Sequence, residues 1–240
     1  MAGLTPVVLL AHGSRHPNAD AAVSRIAAEV ERTSGRRTMA SHLDFSPLTL
    51  TEVARLLGVS GHREAVVVPL LFTDAFHLRQ DVPDALSEAE EASGVHLHLA
   101  APVGLGEDMA ALIAGRVGST DRLVLYSVGS SVPGANDTVA ALAARAGELL
   151  GVPGHAVVAT GGEGAGPDAL VARCRDVGNV SVQPLFFSPG TLWDLAVREL
   201  SGQDGVQLGE PLGEDVAPLV VARAEDKIDD VTGERKEERE

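Results

Sequence analysis

The chain has 240 residues, 45% of them apolar, which is enough to bury one large or two small cores. Aromatic residues make up only 3%, so the core must be built mainly from Val, Leu and Ala. No apolar run approaches the ~20 residues of a membrane helix. The N-terminus has no basic segment, and Val7–Ala11 is too short for a signal-peptide core, which points to a cytoplasmic protein with no membrane partner. A formal charge of −15 argues against nucleic acid as a partner, because the phosphate backbone demands clustered Lys and Arg. An anionic ligand would need a local basic patch that overcomes this field. The one cysteine, Cys174, cannot form an intramolecular disulfide and reads as a small buried residue in an apolar helical pattern.

Apolar runs suited to buried parallel strands alternate with helical patterns along the chain. Strands are expected over Pro6–His12, Thr38–Phe45, Ala65–Phe72, Val95–Ala101, Arg122–Val128, Ala156–Thr160, Val180–Phe187 and Gly205–Leu208. Between them fall helical patterns such as Ala19–Arg32, Pro47–Leu57, Pro83–Ala92 and Met109–Val117. Ser46-Pro47 reads as a helix cap followed by proline in the first turn, and Asp81 as the cap of the helix entering at Val82-Pro83. Strand–helix alternation of this kind predicts α/β units around a parallel sheet.

The chain also repeats itself in order. "LLAHGSRHPNAD" matches "LYSVGSSVPGAN" from Leu125, "PLLFTDAFHL" matches "PLFFSPGTLW" from Pro184, and "LGEDMAALIAGR" from Leu105 matches "LGEDVAPLVVAR" from Leu212. The expected organisation is therefore two tandem flavodoxin-like α/β halves, each a doubly wound parallel sheet, facing a central cleft. Residues 1–118 form the first half and 119–225 a degenerate second half. The charged stretch 226–240, almost without apolar residues, reads as a disordered tail. Such a fusion mimics a symmetric dimer and predicts a monomer with pseudo-twofold internal symmetry.

The repeat makes the histidines informative. His12 aligns with Val128 and His77 with Leu192, while Gly13 matches Gly129 and Pro69 matches Pro184. The second half keeps the turn residues and loses both imidazoles, which assigns the chemistry to the first half. In a sheet of order 2-1-3-4 the switch point lies between strands 1 and 3, and ligands bind outside the carboxyl ends there. His12 ends strand 1, and His77 follows strand 3 by a few residues. Adjacent strands lie ~4.8 Å apart, so both imidazoles can converge on one atom. Imidazole binds Fe, Co, Ni, Cu and Zn and is the usual general base near neutral pH. Asp44, at the end of strand 2, is either a third ligand, a carboxylate that orients an imidazole, or a turn residue before Ser46-Pro47. His42 shares its face if the strand continues. His96 and His98 begin a strand and should point away from this end.

Three chemistries compete for these residues. "TGGEGAGP" from Thr160 lacks both the G-x-G-x-x-G and the G-K-[ST] spacing, so it reads as a flexible loop and not a nucleotide cradle. His-Gly after strand 1 also occurs in histidine phosphatases, but those carry arginine directly before the histidine, where this chain has Ala11. Metal chemistry is the third. The segments "LLAHGSRHPNAD", "LDFSPLTLTEVARLL", "VVVPLLFTDAFHLRQDVP" and "PVGLGEDMAALIAGRV", in this order, resemble the class II sirohydrochlorin chelatases. The resemblance is strong over the first half and weak over the second.

That resemblance implies an enzyme, a lyase that inserts Fe²⁺, Co²⁺ or Ni²⁺ into the carboxylate-rich tetrapyrrole sirohydrochlorin without ATP, for sirohaem or cobalamin. The partners are the pigment and the metal ion, both substrates, with no tightly bound cofactor. The family's motif histidines match His12 and His77, as metal ligands and proton acceptors. Asp44 stands where the family often has glutamate. Gly13 permits close approach to the backbone, Ser14 caps the next helix or bonds a carboxylate, and Arg15 and Arg79 are candidate carboxylate partners. A non-catalytic metal or tetrapyrrole carrier would present the same residues, and the phosphatase reading stays open.

Overall fold

The computed structural model describes residues 4–72, 81–130, 134–161, 164–175 and 178–237. All eight expected strands form, as β1 (Val7–Ala11), β2 (Thr38–His42), β3 (Glu64–Pro69), β4 (His96–Leu99), β5 (Arg122–Ser127), β6 (Gly154–Val158), β7 (Val180–Pro184) and β8 (Val206–Leu208). The α-helices among the described residues are α1 (Ala19–Ser34), α2 (Leu50–Val59), α3 (Asp81–Ser93), α4 (Glu107–Gly115), α5 (Ala135–Leu150), α6 (Pro167–Cys174), α7 (Thr191–Leu200) and α8 (Ala217–Glu237). The strands make two four-stranded parallel sheets, ordered β2-β1-β3-β4 and β6-β5-β7-β8. This is the expected α/β architecture with its switch points between β1 and β3 and between β5 and β7.

Local sequence explains each layer. Every residue of β1, Val-Val-Leu-Leu-Ala, is buried, as a strand covered on both faces requires. Val8 and Leu10 point to one face and pack with Ala65 and Val67 of β3, Leu50, Val53 and Leu57 of α2, and Val82 and Ala89 of α3. The alternate side chains face the other side, where α1 packs on β1 and β2 through a stripe of Ala19, Ala22, Val23, Ile26, Ala27 and Val30. Helix α8 completes this layer against α1 and β3. In the second sheet, Val124, Tyr126, Val180 and Val182 pack with Leu170 and Cys174 of α6 and Trp193, Ala196 and Leu200 of α7. Helix α5 packs on β5 and β6, and α4 packs on α5. Burial pushes the Cys174 thiol above its ordinary pKa, so it behaves as an inert apolar residue.

The structure corrects three expectations about organisation. The chain divides into compact units at different places from 118/119. One unit is Met1–Gly104 with Glu214–Glu240, and the other is Leu105–Gly213. The repeated motif beginning at Leu105 and Leu212 accounts for the difference, because it precedes the helix that each sequence half contributes to the other half's unit. Residues 226–237 are not a disordered tail but the continuation of α8. The buried Leu219, Val220 and Ala224 anchor its first turns, and Arg36 bonds Glu225 at 2.7 and 2.9 Å. The charged extension then propagates from a helix already nucleated. Finally, α2 starts at Leu50 and not at Pro47. Its cap is Thr49, whose hydroxyl accepts from the Glu52 backbone N–H at 3.2 Å.

Candidate metal and substrate site

The carboxyl ends of β1 and β2 are joined beyond the strands themselves. The Leu43 N–H donates to the Ala11 carbonyl at 2.9 Å, and the Asp44 N–H to the His12 carbonyl at 3.0 Å. These bonds fix the turn carrying His12 beside the turn carrying Asp44. His12 is exposed. Ser14 turns its hydroxyl back to accept from the His16 N–H at 3.1 Å, and His16 Nδ1 accepts from the Asn18 N–H at 3.3 Å, which shapes the entry to α1. Ser14 thus supports the turn ahead of the helix.

Phe45, which the sequence reading passed over, is the centre of this turn. It is a non-glycine residue at φ +61° and is 45% exposed. Its ring stands nearly perpendicular to the His12 imidazole, with centroids 6.5 Å apart. The Arg15 guanidinium carbon lies 4.8 Å from the ring centre, a cation–π contact. Asp44 Oδ1 accepts from the Phe45 N–H at 2.7 Å. Ser46 Oγ donates to Asp20 Oδ2 at 2.7 Å, tying the turn to the start of α1. The available signal was an aromatic residue placed between Asp44 and Ser46-Pro47 in a chain holding only five phenylalanines.

His12, Gly13, Ser14, Arg15 and Asp44 therefore gather in two adjoining turns. His77 and Arg79 lie outside the described residues. Asp44 does not end β2, which stops at His42, but sits exposed in the following turn. His42 does not share its face. It is 1% exposed, with Nε2 3.5 Å from Asp20 Oδ1, beneath the turn. Asp81 is the first residue of α3 and not a residue ahead of it. Among the described residues no three His, Cys, Asp or Glu side chains come together as a metal-binding group. His96 and His98 begin β4, as expected, and bond Glu90 at 2.7 Å and Glu64 at 3.1 Å. A groove of about 450 Å³ beside β2, lined by residues such as Ala27, Met39 and Val53, contains none of the candidate site residues.

The second sheet repeats this backbone scaffold with Val128 in place of the histidine. The Ala159 N–H donates to the Ser127 carbonyl at 2.8 Å and the Thr160 N–H to the Val128 carbonyl at 3.0 Å, the counterparts of the bonds at Ala11 and His12. The Leu70 N–H donates to Leu10 and the Leu185 N–H to Tyr126 in the same relation. Val128 thus occupies the backbone position of His12 and is 48% exposed.

Comparison with known proteins finds sequences and folds similar to this arrangement. Residues 6–120 match the sequence profile of the CbiX family. A sirohydrochlorin cobaltochelatase of Sulfurisphaera tokodaii is 36% identical over 75 residues, which are 31% of this chain and 60% of that protein's length. Among solved structures, SirB from Bacillus subtilis with Fe³⁺ superposes with a TM-score of 0.75 at 21% identity, over 95% of this chain and 97% of that one. The sirohydrochlorin chelatase SirB from Bacillus subtilis subspecies spizizenii, in complex with cobalt, gives 0.74 at 20% identity with the same coverage. At these identities the structures establish a shared fold, the two-sheet chelatase architecture. The match to the CbiX profile over residues 6–120 spans just under half of the chain and takes in β1 to β4 and the turns bearing His12 and Asp44.

Proposed function

We propose that the chain is a sirohydrochlorin chelatase that inserts Fe²⁺ or Co²⁺ into the tetrapyrrole without ATP, serving sirohaem or cobalamin synthesis. One observation carries the reading. Within the segment that matches the family, an exposed imidazole crowns β1 at the switch point, and its structural counterpart is Val128. In this reading His12 and His77 hold the incoming metal. Asp44 is a third donor, since among the described residues only its Oδ1 is engaged, by the Phe45 N–H. Gly13, Ser14, Arg15 and Arg79 face the pigment, and the chain works as a monomer with one site.

The reaction takes M²⁺ and a pigment bearing two pyrrole N–H groups, and yields the metallated pigment and two protons. Neutral imidazole suits both demands: it accepts a proton, and it binds a divalent ion weakly enough to surrender it. A few protein donors leave coordination positions open, as transfer requires, whereas a closed four-ligand site would retain the metal. Deprotonated pyrroles then take the ion from the imidazoles.

The test is anaerobic absorbance of sirohydrochlorin with Co²⁺ and, separately, Fe²⁺, for wild type, His12→Ala and His77→Ala. Acceleration well above the spontaneous rate, lost in both variants, supports the reading, and the faster metal selects the pathway. Pigment binding without acceleration makes the chain a carrier. No binding removes sirohydrochlorin as the substrate.

A further inference from the structure

We infer that Phe45 is a positioning residue that acts through Arg15, holding its guanidinium ready to clasp a carboxylate of the macrocycle beside His12. The inference rests on the chelatase reading and deepens it, because it assigns a residue to recognition of the pigment's acidic side chains.

Three observations converge. First, Arg15 is a cation without an anion among the described residues: it forms no hydrogen bond or ion pair with them, in a chain of 34 acidic and 19 basic residues. In the same unit Arg25, Arg32, Arg36 and Arg55 each bond a carboxylate, while Arg37 and Arg63, like Arg15, bond none among the described residues but stand away from the His12 turn. Second, the contact that Arg15 does make is with the Phe45 ring. A cation–π contact leaves every N–H donor unspent, so the in-plane fork that binds a carboxylate in two places stays open. Third, Phe45 sits at φ +61° and is 45% exposed. A bulky residue in the left-handed region is strained, and strain persists where the surroundings enforce it. Here they do, through the Asp44 bonds to His12 and Phe45 and the Ser46 bond to Asp20. An exposed ring adds little core packing in return. Its effect is to stand between an imidazole and a guanidinium and set their spacing.

The class of ligand follows. The donor set fits a carboxylate on the rim of a flat molecule whose centre lies at His12. The global charge disfavours anions, so a pre-placed guanidinium gives local attraction where the chain as a whole repels.

The experiment is equilibrium binding of metal-free sirohydrochlorin, followed by absorbance, to wild type, Phe45→Leu, Phe45→Trp, Phe45→Gly, Arg15→Ala and the Phe45→Leu/Arg15→Ala double variant, with thermal melts of each. Arg15→Ala should weaken binding about tenfold. Phe45→Leu should weaken it about three- to fivefold, and Phe45→Trp, which keeps a π face, should restore it. The double variant should bind no more weakly than Arg15→Ala alone, because Phe45 acts through Arg15. Phe45→Gly should bind as weakly as Phe45→Leu while its thermal midpoint rises, a pairing that a purely structural role does not produce. With the pigment's carboxylates esterified, wild type and Phe45→Leu should bind alike. Wild-type affinity in Phe45→Leu, or additive losses in the double variant, overturns the inference and leaves the chelatase reading intact. Failure of wild type to bind the pigment overturns both.

Discussion

Gly13 lies so close to the Asp44 carbonyl that a β-carbon built on it would fall 1.9 Å from the oxygen. Gly13 also has φ +96°, a conformation that L side chains rarely adopt. Gly129 repeats the arrangement at φ +89°, with a β-carbon 2.3 Å from the Thr160 carbonyl. The nearest obstructing atom at each site is a backbone carbonyl oxygen, so neither site can yield by a side-chain rotation. Gly13→Ala should therefore destabilise the protein by about 2 kcal/mol or more and part the His12 turn from the Asp44 turn. Gly129→Ala should cost a similar amount while leaving the His12 turn itself unaltered. Urea unfolding of both variants, with pigment titration, checks this; equal loss of binding in the two variants would refute the local account.

His12 is exposed, and Val128 shows that the same backbone accepts a β-branched apolar residue there. His12→Val should then leave stability within about 1 kcal/mol of wild type. On the proposed function it should lower the metal-insertion rate by about 100-fold or more, the scale of losing a positioned proton acceptor. A variant that folds and keeps its insertion rate would remove His12 from the chemistry.

The sheets were legible in the sequence because their signals are local. Val7–Ala11 is apolar throughout, α1 carries apolar residues at helical spacing, and the repeated segments place β5 to β8 in the order of β1 to β4. The exchange of α4 and α8 between units was not legible. Both helices carry the same "LGED" opening, and a helix presents the same apolar face whichever sheet it covers. The end of β2 was overrun by three residues because Leu43 and Phe45 continue an alternating pattern, whereas the chain turns at Phe45 into a conformation that patterning does not encode. In the candidate site, the placement of His12, Gly13 and Arg15 just beyond β1 was readable from motif and repeat, whereas Asp44 was expected at the end of β2 and lies in the turn after it. Phe45 was not readable, because its significance lies in a backbone angle and in two neighbours brought together by the fold. Asp20 was missed for a related reason, since its bond to Ser46 spans 26 positions.

The cap of α2 gives a simpler prediction. Thr49 accepts from the Glu52 N–H at 3.2 Å and satisfies one of the donors exposed at the helix start. Thr49→Ala should destabilise by about 1 kcal/mol, and Thr49→Ser should restore most of it. Ser46→Ala should not uncap α2, because the Ser46 hydroxyl is given to Asp20. Unfolding curves of the three variants test this, and a loss in Ser46→Ala with none in Thr49→Ala would return the cap to the position read from the sequence.

Helix α8 is fastened to the first unit by Arg36 and Glu225, and that pair predicts how stability responds to acid. Hydrogen bonding to the Arg36 guanidinium holds the Glu225 carboxyl below its ordinary value in the folded chain. The unfolded chain therefore binds more protons between the two values, and stability rises with pH across that window. The contribution is complete above the ordinary glutamate pKa of about 4.3 and is lost as pH falls through the lowered folded value. Arg36 is 12% exposed but Glu225 is 39% exposed, so solvent screening limits the pair to about 1 kcal/mol. Glu225→Gln should be less stable than wild type by about that amount at pH 7, and the gap should close as pH falls below about 4. Urea unfolding at pH 7, 5 and 3.5 measures it. A gap that stays constant over the three pH values would mean that Glu225 contributes through packing alone and that its charge does not hold α8 in place.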